Sequence, residues 1–208
     1  MKRQLILFLL LLATAGTAFG QTDRQAKALL DKTAAHYRKA ASVNIRFEGS
    51  TQGTLLLQGE CFVIDCGDII SWYDGHHQWS YVKSNQEVTL TTPSAEELNA
   101  VHPYAWVNRY DDLFNGTYTG TKTVGGKTVQ EVVLTPKGSS DLASITLQVT
   151  ADGQPASIAL ALADGSRQTF RIRSYQTGQR QDISAFRFDP TRYPGVELID
   201  LTTNEELH

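Results

Sequence analysis

Most of this chain alternates apolar and polar residues with a period of two, the pattern of strands that bury one face. Val43, Ile45 and Phe47, for example, alternate with polar neighbours. This pattern, or a short β-prone run, predicts strands at 43–47, 54–64, 69–73, 78–82, 86–91, 118–124, 129–134, 145–149, 158–162, 168–175 and 186–188. Gly-rich turn signals recur about every ten residues, which predicts consecutive antiparallel hairpins rather than crossover units.

Two segments have a helical pattern instead. Residues 23–41 place apolar side chains at spacings of three and four, including Ala26, Leu29 and Leu30, so a helix should lie against the sheet. Ser94 and Glu97 fit a capping box at the start of 95–114, which predicts a helical lid interrupted at Pro103. The expected fold is mainly β (α+β): a strongly curved, barrel-like antiparallel sheet with an N-terminal helix and a helical lid.

The segment 71–81, Ser-Trp-Tyr-Asp-Gly-His-His-Gln-Trp-Ser-Tyr, is an aromatic hairpin. Asp74-Gly75 lies between two β-prone runs. Such a pair predicts a type I′ turn, in which both central residues have positive φ.

The first twenty residues have the layout of a secretory signal peptide. Lys2 and Arg3 precede a leucine-rich run that is too short to span a bilayer, and Ala18 and Gly20 place small residues before a cleavage site. We therefore expect cleavage after Gly20, and one domain over residues 21–208 that is soluble in the periplasm, without a lipid anchor.

The charge balance narrows the possible partners. The formal net charge is −3, and loss of Lys2 and Arg3 with the signal peptide would lower it to −5. This argues against nucleic acid as a partner and against simple electrostatic adhesion to anionic lipid.

Cys61 and Cys66 are the two cysteines of the chain. An exported protein permits a disulfide, but extended residues five apart have Cα atoms roughly 16 Å apart, outside disulfide reach without a tight turn. The spacing therefore favours free thiols, and a disulfide between Cys61 and Cys66 is the alternative.

Candidate catalytic and metal-binding groups are sparse. His76-His77 lies at a turn without a third ligand at suitable spacing, and the adjacent acids at 96–97 and 111–112 would diverge on a helix. No hydrolase, zinc-protease or phosphate-loop motif occurs. We expect neither an enzyme nor a cofactor.

Several motifs together resemble the LolA family, the periplasmic carriers of outer-membrane lipoproteins. The hairpin matches W-Y-D-G-x-x-x-W-x-Y, and 131–137 resembles the strand that ends in L-T-P-K. At matching spacing follow Asp152-Gly153, the strand 167–175 and Phe186-Arg187-Phe188-Asp189-Pro190. Upstream, Gln58-Gly59-Glu60 resembles the approach to the family's Arg-Pro turn. The similarity covers nearly the whole mature chain.

The resemblance implies an unclosed barrel whose concave apolar face shelters acyl chains beneath the helices. Leu98 and Trp106 of the lid would pack over this face. The candidate lipid-binding residues are Ile45, Phe47, Leu55, Leu57, Trp72, Trp79, Leu98, Trp106, Ile145, Leu147, Val149, Ile158, Leu160, Leu162, Phe170 and Ile172.

The implied partners are acylated lipoproteins, an inner-membrane lipoprotein-releasing transporter, and an outer-membrane acceptor or the outer membrane itself; we expect a monomer. The chain departs from the family at Ile64-Asp65-Cys66-Gly67, where the pattern has Lys/Arg-Arg-Pro, so the handover mechanism stays open. Two alternatives are an envelope sensor or protein-binding module of the same fold, and the outer-membrane acceptor itself. The acceptor would need a lipidated N-terminal cysteine, which does not follow Gly20.

Overall fold

In a computed structural model, the structure describes residues 18–95, 97–98 and 109–202, with side chains from residue 24 onward. Helices among the described residues include α1 (Ala18–Lys39), α2 (Tyr110–Leu113) and two 3-10 helices, Ile183–Phe186 and Pro190–Arg192; residues 95 and 97–98 are also helical. The strands are β1 (Ser42–Gly49), β2 (Gly53–Gln58), β3 (Cys61–Cys66), β4 (Ile69–Tyr73), β5 (Gln78–Val82), β6 (Glu87–Thr91), β7 (Phe114–Val124), β8 (Lys127–Pro136), β9 (Leu142–Thr150), β10 (Pro155–Leu162), β11 (Arg167–Gly178) and β12 (Glu197–Asp200).

All strands belong to one twelve-stranded sheet with the order β12-β6-β5-β4-β3-β2-β1-β11-β10-β9-β8-β7. Every neighbouring pair is antiparallel except β12, which pairs parallel with β6. The sheet is curled and stays open, with β7 and β12 as its two edges. The predicted mainly β, unclosed antiparallel architecture with an N-terminal helix is confirmed.

Helix α1 lies on one face of the sheet, which we call the inner face. Ala26, Leu29 and Leu30 pack on strands β8 and β9, and Ala34 and Tyr37 pack on β1 to β4. A Cβ atom at Gly116 on β7 would lie 3.4 Å from the Cβ atom of Ala26, so glycine lets the helix approach this edge of the sheet closely. The helix therefore fills part of the curl.

A second core lies on the opposite, outer face. Trp72 pairs with Val63 and Trp79, whereas its neighbour Tyr73 pairs with Phe62, a residue of the α1 core. Because paired residues share a face and successive residues alternate, both tryptophans point away from α1. The large apolar side chains of the core thus lie on the inner face at Phe62 of β3 and on the outer face at Trp79 and Tyr81 of β5.

The outer core is covered by the C-terminal strap, which we define as residues 182–201. The rings of Phe188 and Tyr193 each lie 5.7 Å from that of Trp72, and Tyr193 lies 5.2 Å from Tyr81. The strap ends in β12, which the sequence pattern did not predict. The predicted strand at 186–188 is wrong, because Phe186 ends a 3-10 helix and is fully buried rather than paired in the sheet.

Two turn predictions also need correction. The predicted strand 54–64 is two strands, because Gly59, at φ +58°, turns the chain between β2 and β3. The predicted type I′ turn at Asp74-Gly75 is a longer loop over 74–77 in which Gly75 alone has positive φ. The Asp74 carboxylate accepts hydrogen bonds from the amides of His76 (3.0 Å) and His77 (2.8 Å), which stabilises the longer loop.

The predicted lid is described at its two ends. The capping box is present: the Ser94 amide donates to Glu97 Oε2 (2.8 Å), and the Glu97 amide donates to Ser94 Oγ (3.3 Å). At the other end, α2 runs into β7 at Phe114.

Candidate functional site

The inner face carries a half-buried apolar strip that crosses β1, β11 and β10. Its members are large, lie between the two inner-face core clusters, and are neither fully buried nor fully exposed: Phe47, Ile158, Leu160, Leu162, Phe170 and Ile172. Ile158 pairs with Phe170, and Phe47 pairs with Ile172. The rings of Phe47 and Phe170 meet edge to face at 5.7 Å. We call this set the apolar strip.

Other residues predicted for the cavity are ordinary core. Ile145, Leu147 and Val149 are at most 3% exposed and pack against α1. Ile45, Leu55 and Leu57 are likewise buried, beneath the second half of α1. These residues share the inner face with the apolar strip, and they support it from either side.

Leu98 is the part of the predicted lid that reaches the site. It packs, half-buried, against the inner-face cluster that also contains Phe47 and Ile172. Trp106 lies outside the described residues.

Trp72 and Trp79 do not join the predicted cavity. They lie on the outer face under or beside the C-terminal strap. The strap is fastened at the 74–77 loop, where Arg187 Nε donates to Asp74 Oδ2 at 2.7 Å. Burial would raise the pKa of Asp74, but the two loop amides and Arg187 outweigh it and hold this pKa below its usual value.

Sequence reasoning missed the contacts that fasten α2. Lys27 Nζ of α1 donates to Tyr110 Oη (2.9 Å) and Asp111 Oδ2 (3.0 Å), while Tyr110 Oη donates to Asp31 Oδ1 (2.9 Å). The Lys137 amide, from the L-T-P-K segment, donates to Leu113 O at 2.9 Å. The position of Lys27 on α1 does not predict these contacts, because Tyr110 and Asp111 are more than 80 residues away in the sequence.

The cysteines are free and lie at opposite ends of β3, as the spacing favoured. Burial raises the pKa of the Cys61 thiol. The turn after Cys66, where the chain departs from the family pattern, is held by Lys83, whose Nζ donates to Asp65 Oδ1 (2.6 Å) and Gly67 O (2.9 Å).

Cationic side chains form a second feature that the sequence reasoning did not assign. Arg171 and Arg173 alternate along β11 with Phe170 and Ile172 of the apolar strip. Together with Lys127 they line a cavity of about 330 Å³ where β10 and β11 separate. The sequence signal that could have indicated this feature is the alternation of apolar and cationic residues over 170–173.

The described residues hold neither a metal-binding cluster nor a helix suited to crossing a membrane. These residues contain no group of three or more His, Cys, Asp or Glu side chains placed to hold a metal ion. None of the helices described combines the length and the hydrophobicity that crossing a membrane would need.

The described residues thus form a curled open sheet with one long helix on its inner face and a half-buried apolar strip on that same face. The model of the family described as outer membrane lipoprotein carrier protein LolA matches residues 16–152. The chain belongs to this family.

Solved structures agree on the fold. An uncharacterized conserved protein from Thermus thermophilus has a TM-score of 0.61 and 9% identity, over 85% of this chain and 99% of that chain. The lipoprotein LppX of Mycobacterium tuberculosis has a TM-score of 0.50 and 12% identity, over 77% of this chain and 100% of that chain. The Pseudomonas aeruginosa MucA/MucB complex has a lower TM-score of 0.41 and 14% identity, over 79% of this chain and 61% of that chain. A search of curated proteins gives no match.

Proposed function

We propose that this protein is a periplasmic carrier that shelters the acyl chains of lipoproteins and transports them from the inner to the outer membrane. The observation that carries the proposal is the apolar strip. A side chain such as Phe170 or Leu160 would be expected to lie fully in a core, and its partial exposure on the helix-covered face leaves apolar surface for a ligand. Membership of the family supports the same assignment.

The proposed ligand sets an energetic condition. Burial of an acyl chain is worth about 0.8 kcal/mol per CH₂, or roughly 12 kcal/mol for a chain of about 16 carbons, and the bilayer offers nearly the same. The carrier therefore only has to match the membrane. An inner-membrane lipoprotein-releasing transporter would have to drive extraction, and an outer-membrane acceptor or the outer membrane itself would take the cargo.

Export belongs to the same proposal. We expect cleavage after Gly20, so that the mature chain starts at Gln21 and α1 keeps the residues that pack on the sheet. The intact mass of protein isolated from the periplasm tests this, and a mass that includes residues 1–20 would contradict it.

Replacement of Phe170 by glutamate tests the carrier function. A carboxylate in the apolar strip would oppose acyl burial, and we expect transfer of a fluorescent acylated lipoprotein between vesicles to fall at least about tenfold. Phe170→Ala, which removes only apolar area, should weaken retention severalfold.

The matched control is Leu198→Glu, which introduces the same charge at a leucine that is 50% exposed on edge strand β12. This variant should transfer cargo like the unaltered protein. Normal transfer by a folded Phe170→Glu protein, or by Phe170→Ala if the charged variant does not fold, would contradict the proposal.

A further inference from the structure

Strands β10 and β11 separate before β11 ends. Their pairing stops at Ser157 and Arg171, whereas β11 continues to Gly178 in contact with β1. The cavity of about 330 Å³ opens beyond this point, between the start of β10 and the turn that joins β7 to β8. Its size lies at the lower end of the range for small-molecule sites, roughly 300–1,000 Å³.

The charged side chains that line this cavity are all cationic: Lys127, Arg171 and Arg173. Arg173 is paired with Glu48 on β1. Among the described residues, no salt bridge joins Lys127 or Arg171 to a carboxylate. Glu48 also lies directly opposite Arg171 in the β1–β11 register, but its carboxylate accepts from Arg173. Lys127 and Arg171 are therefore the two cations of the cavity that an anion can bind without displacing a salt bridge.

The rest of the lining is largely apolar and joins the inner face. Val129, which is 1% exposed, and Pro155 form part of the wall. Ile172 lines the cavity and is also a member of the apolar strip, and Tyr175 packs against the same inner-face cluster. Arg171 lies between Phe170 and Ile172 on β11 and therefore faces the outer side of the sheet. A ligand that passes through the gap could thus place an anion beside Arg171 and an apolar chain on the strip.

We infer that the gap between β10 and β11 is a headgroup site for an anionic phospholipid. Its phosphate lies between Lys127 and Arg171, where the guanidinium group can donate two parallel hydrogen bonds. Its acyl chains lie on the apolar strip. This inference rests on the proposed function and adds a ligand class to it, because the diacylglyceryl group of a lipoprotein carries no phosphate.

The continuity with the strip favours a lipid over other anions. A free phosphate or an acidic peptide would use the cations but would gain nothing from Val129 and Ile172. An amphiphile uses both parts of the cavity.

Calorimetric titration of the mature protein with two short-chain lipids tests the site. Dihexanoyl phosphatidylglycerol should bind more tightly than dihexanoyl phosphatidylcholine, and its preference should shrink as salt is added. In a Lys127→Gln, Arg171→Gln variant we expect affinity for the anionic lipid to fall about tenfold while affinity for the zwitterionic lipid is unchanged. Arg167→Gln is the matched control, since Arg167 is exposed, lies four residues earlier on β11 and does not line the cavity; it should change neither affinity.

The outcomes separate this inference from the carrier proposal. Equal affinity for the two lipids, or a preference that survives the double substitution, would overturn the headgroup site alone. Glycerol phosphate or an acidic peptide that binds as tightly as the anionic lipid would overturn the assignment to a lipid. Failure of both lipids to bind would contradict the apolar strip as a lipid site, and with it the carrier function.

Discussion

At the scale of single residues, Asp74 joins two parts of the molecule. Its side chain is 2% exposed and accepts from two loop amides and from Arg187 of the strap. The sequence indicated a turn at Asp74-Gly75 but not its length, because a carboxylate that binds following amides stabilises a wider loop than the Asp-Gly pair alone implies.

We expect Asp74→Ala to lower the free energy of unfolding by about 1–3 kcal/mol at neutral pH. The substitution removes the buried carboxylate, so the two loop amides and Arg187 lose the acceptor of these hydrogen bonds. The folded-state pKa of Asp74 is lowered, so the contribution is present above the unfolded pKa of about 3.9 and is lost as the pH falls through the folded value. Urea unfolding at several pH values measures the difference from the unaltered protein, which should hold from about pH 5 to 8 and shrink below about pH 4.

Asp164→Ala is the control, since Asp164 lies in an exposed Asp-Gly turn, where its carboxylate accepts from the Ser166 amide at 2.8 Å. It should destabilise the protein less. An equal loss in both variants, or a pH-independent difference for Asp74→Ala, would contradict this account of Asp74.

At the scale of elements, the sequence predicted most strands correctly because each has one buried face. It did not reveal whether the buried face of each strand is the inner or the outer face of the sheet, since a period of two is the same in both cases. For this reason the sequence places Trp72 and Trp79 in one candidate cavity with Ile45 and Leu57, although the tryptophans lie on the opposite side of the sheet. The C-terminal strap was missed because it packs through Phe188 and Tyr193 without an extended alternating pattern.

Tyr193→Ala tests whether the strap covers the outer core. Tyr193 packs against Trp72, Tyr81 and Phe188, and we expect its truncation to cost about 1–3 kcal/mol and to shift tryptophan emission to longer wavelength. Chemical unfolding followed by fluorescence measures both effects. Ile183→Ala, at a strap residue that is 40% exposed, should be near neutral; an unshifted emission for Tyr193→Ala would show that Trp72 does not depend on the strap.

At the scale of the whole molecule, the open sheet separates two surfaces with different roles. The outer core is closed by the strap, whereas the inner face keeps the apolar strip half-covered beside α1. The order of the hairpins could be predicted from the spacing of the turns. That the sheet stays open was predicted from the family resemblance, because no local sequence pattern specifies whether β7 pairs with the other edge strand, β12. The gap at Arg171 was equally hidden, since it depends on where β10 and β11 part.

The most direct test of the central claim is photo-crosslinking of a lipoprotein whose acyl chain carries a diazirine, followed by mapping of the labelled peptides. We predict labels on β10 and β11, at strip residues such as Ile158, Leu160 and Phe170. Trp72 and Trp79 themselves should remain unlabelled when fragmentation assigns each label to a residue, because their side chains lie on the other face. Labelling of the tryptophan face, or no labelling of the strip by a bound lipoprotein, would contradict the account.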